Sequence, residues 1–108
     1  MNKSLVELRR RSLEEMEVYV KAQHAYLEAA HPSQQKSAAE LKRFAESVLV
    51  AILAYKDALR AHLEGLQASE PSTMKDKEIK QTEIMLFIAD KEQSTFDYLI
   101  DHHTKMVR

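Results

Sequence analysis

The sequence predicts an all-α fold, an antiparallel up-down-up bundle of three long helices, and three observations carry that expectation. One glycine and two prolines in 108 residues leave little material for the turns of a many-stranded sheet. The good helix formers Ala, Leu, Glu, Lys, Gln, Arg and Met dominate the chain. Apolar residues return at steps of three and four through three long stretches separated by short breaks. A chain of this length holds one domain with a single core. Residues 1–108 are therefore read as one bundle, with helices over about 4–30, 34–66 and 73–107.

Ser4 followed by Glu7 is a capping-box pattern, whose hydroxyl and carboxylate satisfy the free backbone donors of a starting helix. Leu5, Leu8, Ser12, Met16, Tyr19, Val20, Gln23, Tyr26, Leu27 and Ala30 then line one side of it for about seven turns. Pro32 ends this helix, because its ring removes a donor and disfavours helical geometry at His31. A second start lies at Ser33, or at Ser37 with Glu40 three residues on. The stripe that follows is Ala38, Leu41, Phe44, Ala45, Val48, Ile52, Tyr55, Leu59, His62, Leu63 and Leu66. Gly65 or the polar stretch Gln67 to Ser69 closes the second helix. Glu70-Pro71-Ser72-Thr73 is a turn in which Ser72 or Thr73 caps the third. Ile79, Thr82, Met85, Leu86, Ala89, Gln93, Phe96, Leu99, Ile100, His103 and Val107 share the main face of the third helix, with no breaker up to Arg108. Short connections make consecutive helices antiparallel neighbours, giving a rod roughly 40 to 50 Å long.

Sixteen basic residues nearly cancel seventeen acidic ones, so the net field gives no reason to expect nucleic acid, an anionic membrane or a highly charged substrate. Without cysteine there is no disulfide and no thiolate metal site, and a reducing cytoplasm is the expected location. The first residues carry Glu7 and Arg9-Arg10-Arg11 in place of a signal-peptide run. The longest apolar run, Val48 to Tyr55, is far short of the roughly 20 residues that span a bilayer. The expectation is a chain that is neither secreted by the standard route nor embedded in a membrane.

Two places carry more apolar residues than one stripe per helix requires. Val50, Leu53 and Ala54 lie off the stripe of the second helix, and Ile84, Phe87 and Ile88 off that of the third. Counted outward from Pro71 the two groups fall at similar heights near the middle of the rod, with Val18 of the first helix at a similar level. A wide core would absorb them. A contact surface would also account for them, covered by a second copy in a two-fold dimer or by a partner helix.

Catalytic signatures are missing: there is no Cys, no Gly-flanked Ser and no Gly-rich phosphate loop, so neither enzymatic activity nor a cofactor is expected. The topology gathers His24, His31, His102 and His103 at one end, together with Glu28, Glu40, Asp97 and Asp101. A metal centre built from His24, Glu28, His31, Asp101, His102 and His103 is one alternative, since neutral imidazole and carboxylate suit zinc, iron or manganese. Di-iron bundles carry the Glu-x-x-His motif on two helices and this sequence carries it once, at Glu28-Ala29-Ala30-His31, so solvated imidazoles favoured by the helix dipole are the simpler account, with a pH-sensitive contact as a further one. Arg9-Arg10-Arg11 sits among Glu7, Glu14 and Glu15 with no aromatic platform, which fits a solvated face with ion pairs better than a nucleic-acid-associated regulator. Tyr19, Tyr26 and Tyr55 are placed to pack with their hydroxyls at the core margin. Met16, Met74, Met85 and Met106 are too scattered for a Met-rich peptide groove. The functional expectation is a non-enzymatic helical interaction protein, an adaptor, regulator or secretion-type chaperone. It would act through Val50, Leu53, Ala54, Ile84, Phe87 and Ile88 on protein partners, first of all as a homodimer.

Overall fold

Ser4, Ser37 and Ser72 each accept a hydrogen bond from a backbone N–H three residues on, at 3.1 to 3.2 Å, and so start three helices in the computed structural model, which describes residues 4–107. These are α1 (Leu5–Ala30), α2 (Ala38–Ala68) and α3 (Thr73–Met106), with a short 3-10 turn at Pro32–Gln34. They form an all-α three-helix bundle in a rod of 55 × 25 × 19 Å. The third helix ends at Met106 with Val107 as its cap, one residue short of the expected 107, and Arg108 lies outside the described residues.

The first break falls where the sequence places it. His31, held by the proline that follows, is extended at φ −62° and ψ 134°. The second helix starts four residues later than expected, at Ala38 and not at 34. The His31 Nδ1 accepts from the Ser33 N–H and Gln35 takes a left-handed φ of 50°, so the chain makes one tight turn first. Ser37 and Glu40 then form a complete capping box. The second helix also runs on through Gly65 to Ala68. Gly65 serves close approach and not termination: a Cβ there would stand 2.5 Å from Leu8 Cδ1 and 3.4 Å from Leu5 Cδ2.

Both outer helices pack on α2, which supplies Ala45, Val48, Ile52, Leu59 and Leu66 to the interior at 1% exposure or less. Tyr19 of α1 stacks on Tyr55 of α2 with centroids 5.9 Å apart, and Tyr26 meets Phe96 of α3 edge-on at 5.3 Å. The backbones of α1 and α3 remain apart, however. Among the described residues no Cα of one comes within 8 Å of a Cα of the other. Of the predicted stripes, Val20 and Leu27 of α1 and Met85 of α3 are exposed, because the backbones of α1 and α3 do not close on each other. Ala30 and Val107 are exposed as well, at the helix ends. Conversely α2 is buried on two flanks, which takes Ala51, Lys56 and Ala58 into the interior beyond its predicted stripe. Among the described residues no helix is long and apolar enough to cross a membrane.

Candidate functional site

The separation of α1 from α3 leaves a trough between them, with α2 as its floor. One stretch encloses about 510 Å3, walled by Leu13 and Met16 on one side and by Met74 and Met85 on the other, over Tyr55 and Leu59. A polar lock lies at the same level. Arg9 donates from Nε and Nη2 to the two Glu78 carboxylate oxygens, each at 2.7 Å, and His62 Nε2 donates to the same carboxylate at 2.6 Å. All three helices meet at that one group. The paired guanidinium holds Glu78 below the usual carboxylate range, and burial opposes it only in part. The sequence reading of Arg9 as part of a solvated basic face is corrected here, because a guanidinium with two parallel donors fits a carboxylate presented by α3. Arg10 does lie on a solvated face, paired with Glu14 at 3.7 Å.

Further along, Lys56 is buried on α2 and reaches α3, forming an ion pair with Asp90 and donating to Gln93 Oε1 at 2.6 Å. Burial, followed by the neighbouring Glu92 carboxylate, pushes the Tyr19 phenol up to about 12, and burial raises Tyr26 and Tyr55 as well. The tyrosines therefore stay neutral and pack in the core, as their spacing suggests. Among the described residues no buried side-chain nitrogen or oxygen lacks a hydrogen-bond partner.

Of the residues assigned from sequence to a contact surface, Val50, Leu53, Ile84, Phe87 and Ile88 are between 44% and 69% exposed, and Ala54 is half-buried. They do not form one continuous patch. The Lys56–Asp90 ion pair falls just beyond the C-terminal end of each group, so on antiparallel helices the groups flank it from opposite directions. Leu53 and Phe87 stand one turn from that seam. Ile84 and Ile88 follow Lys77 and Gln81, which line the trough, by seven residues and so share their face of α3.

The histidine-rich end is dispersed. His103 is buried with Nε2 2.8 Å from the Tyr26 hydroxyl, and burial, with His102 nearby, lowers its pKa. His102 stacks on Tyr98, His31 bonds to Ser33, Asp101 pairs with Lys105, and His24 and Glu28 face solvent. Among the described residues no three His, Asp or Glu side chains are placed to hold one metal ion, which corrects the centre sketched from His24, Glu28, His31, Asp101, His102 and His103. Sequence periodicity brought the right helix ends together, but individual side chains turn to different neighbours. What it missed is the trough, although the signal was present: Val6, Leu13, Val20 and Leu27 recur every seven residues, and Val6 and Leu13 belong to no stripe of a closed bundle.

Comparison of the chain with protein-family models, with curated proteins and with solved structures finds no match.

Proposed function

We propose that this chain is a non-enzymatic helical interaction protein, an adaptor or regulator that buries exposed apolar side chains against a protein partner, first of all a second copy of itself. The observation that supports this reading is the exposure of Val50, Leu53, Ile84, Phe87 and Ile88 along α2 and α3, in a chain whose interior is already filled by other residues. Within each helix they cluster, Val50 with Leu53 on α2 and Ile84 with Phe87 and Ile88 on α3, and apolar side chains grouped on a surface are what a protein contact covers. The Lys56–Asp90 ion pair, buried at Lys56 and exposed at Asp90, lies between the two apolar groups one turn from Leu53 and Phe87 and would give such a contact a polar element that fixes its register.

Sedimentation of the full chain tests the dimer. The wild type is expected at twice the mass of one chain, and Leu53→Glu with Phe87→Glu at the mass of one, with an unchanged helical circular dichroism spectrum. Both substitutions fall on exposed positions, so folding is retained. A wild type that sediments as a single chain at high concentration removes the homodimer.

A further inference from the structure

Resting on the homodimer reading, we propose that the solvent face of α2 docks on the same face of a second copy, the two α2 helices antiparallel and Leu53 at the two-fold axis. Apart from Ser47, the exposed positions of α2 between Arg43 and Gln67 are 43, 46, 50, 53, 57, 60, 64 and 67. They advance by three and four in alternation, so they form one line along the helix, about 36 Å long. Val50 and Leu53 stand near its middle, 69% and 44% exposed, while Ile52 and Leu59 lie off it in the core.

The charges on this line are placed evenly about Leu53 and opposite in sign. Glu46 stands seven residues before Leu53 and Arg60 seven after it. Arg43 stands ten before, with Lys42 beside it, and Glu64 eleven after. Turning one copy end over end about Leu53 therefore brings Glu46 to Arg60 of the other copy, and Lys42 and Arg43 to Glu64. By symmetry each meeting occurs twice. Among the described residues Lys42, Arg43, Glu46 and Glu64 have no ion-pair partner within 4.0 Å in their own chain. The apolar centre is Leu53 on Leu53, with Val50 on either side. Asp57 falls beside Val50 of the other copy and keeps its own partner, since Arg60 Nη1 lies 3.3 Å from it within the helix.

Charge rejects the neighbouring arrangements. Parallel copies in register set every charge against its like. Slipped by one turn in one direction, antiparallel copies bring Arg43 to Arg60 and Glu46 to Asp57. Slipped in the other, they bring Glu46 to Glu64 and Leu53 to Asp57. Like charges opposed across a contact cost several kcal/mol, so one register is selected. A face that complements its own reverse is what a two-fold contact demands of a chain, and an unrelated partner makes no such demand. This pairing leaves Phe87 of α3 outside the contact.

Sedimentation equilibrium of the full chain and of charge-exchange variants tests this. Glu46→Arg alone and Arg60→Glu alone set like charges across the axis, and each is expected to weaken the dimer about tenfold or more. The two changes in one chain should restore it to within about threefold of the wild type. Positions 46 and 60 are about 21 Å apart along one helix, so that rescue reports a contact between copies. An equimolar mixture of the two single variants should associate more tightly than either alone, because each supplies the charge that the other lacks. Leu53→Glu should sediment as one chain and Phe87→Glu as the wild type does, both with an unchanged helical circular dichroism spectrum. Single exchanges without effect, no rescue by the double exchange or the mixture, a dimer that survives Leu53→Glu, or one abolished by Phe87→Glu overturns this contact and leaves a homodimer standing. A wild type that stays a single chain at high concentration removes the homodimer and this contact together, so the two failures are distinguishable.

Discussion

Glu78 accepts from Arg9 of α1 and His62 of α2 while standing on α3, so a single carboxylate ties the three helices at one level. Its pKa is depressed, so its contribution is fully present above the ordinary carboxylate range near pH 4.5 and is lost as pH falls through the lower folded value. Glu78→Gln should cost about 1 kcal/mol at pH 7, held low because the Arg9 side chain is 43% exposed and screened by solvent. His103 acts in a different window. Burial lowers its pKa, so its contribution is present above the ordinary imidazole value of about 6.5 and fades as pH falls through the folded value. Thermal melts from pH 7 down to pH 3 should show the wild type losing stability in both windows. His103→Gln should flatten the upper window and Glu78→Gln the lower, and a variant that retains its loss would dissociate that residue from it. Neither role was legible in the sequence. A periodic stripe says that position 62 or 103 faces inward, but not that a carboxylate or a phenol sixteen or seventy-seven residues away waits there.

Among the elements, the helices were the most legible part of the chain, and serine caps are the reason. Ser37 and Glu40 satisfy each other's backbone donors, and that reciprocity fixes Ala38 as the first residue of α2 after the left-handed Gln35. Ser37→Ala should lower stability by about 1 kcal/mol in urea unfolding, and Ser33→Ala, outside the cap, by much less. Equal effects of the two would place the start of α2 elsewhere. The ambiguity between Ser33 and Ser37 could not be settled by pattern alone, because both hydroxyls precede a helical stretch. The 3-10 turn that consumes Pro32–Gln34 decides it, and its hydrogen bond from Ser33 N–H to His31 Nδ1 uses a side chain that helical periodicity ignores. Gly65 looked like a helix end for a similar reason: a lone glycine marks either a stop or a close approach, and only the position of Leu8 distinguishes them.

At the scale of the whole molecule, bundle and topology followed from three periodic stretches and two short breaks, while the angle between the outer helices did not. Apolar stripes record which residues are greasy, and the same stripe on α1 serves a closed triangle or one side of an open trough. Val20, Leu27 and Met85 are where the two readings part, since each sits at core spacing and each is in water. The exposed group on α2 and α3 was legible for the opposite reason, because residues such as Val50 and Phe87 fit no stripe of either arrangement.

Because α1 and α3 each pack on α2, the helix that separates them in the chain, every backbone interface joins sequence neighbours across a few linking residues. Little loop entropy is lost before each hairpin is rewarded, so collapse should proceed from local pairings in microseconds to milliseconds, the range of helical proteins with low contact order. The same connectivity makes α2 the shared template, with α1 and α3 free to zip onto it in either order.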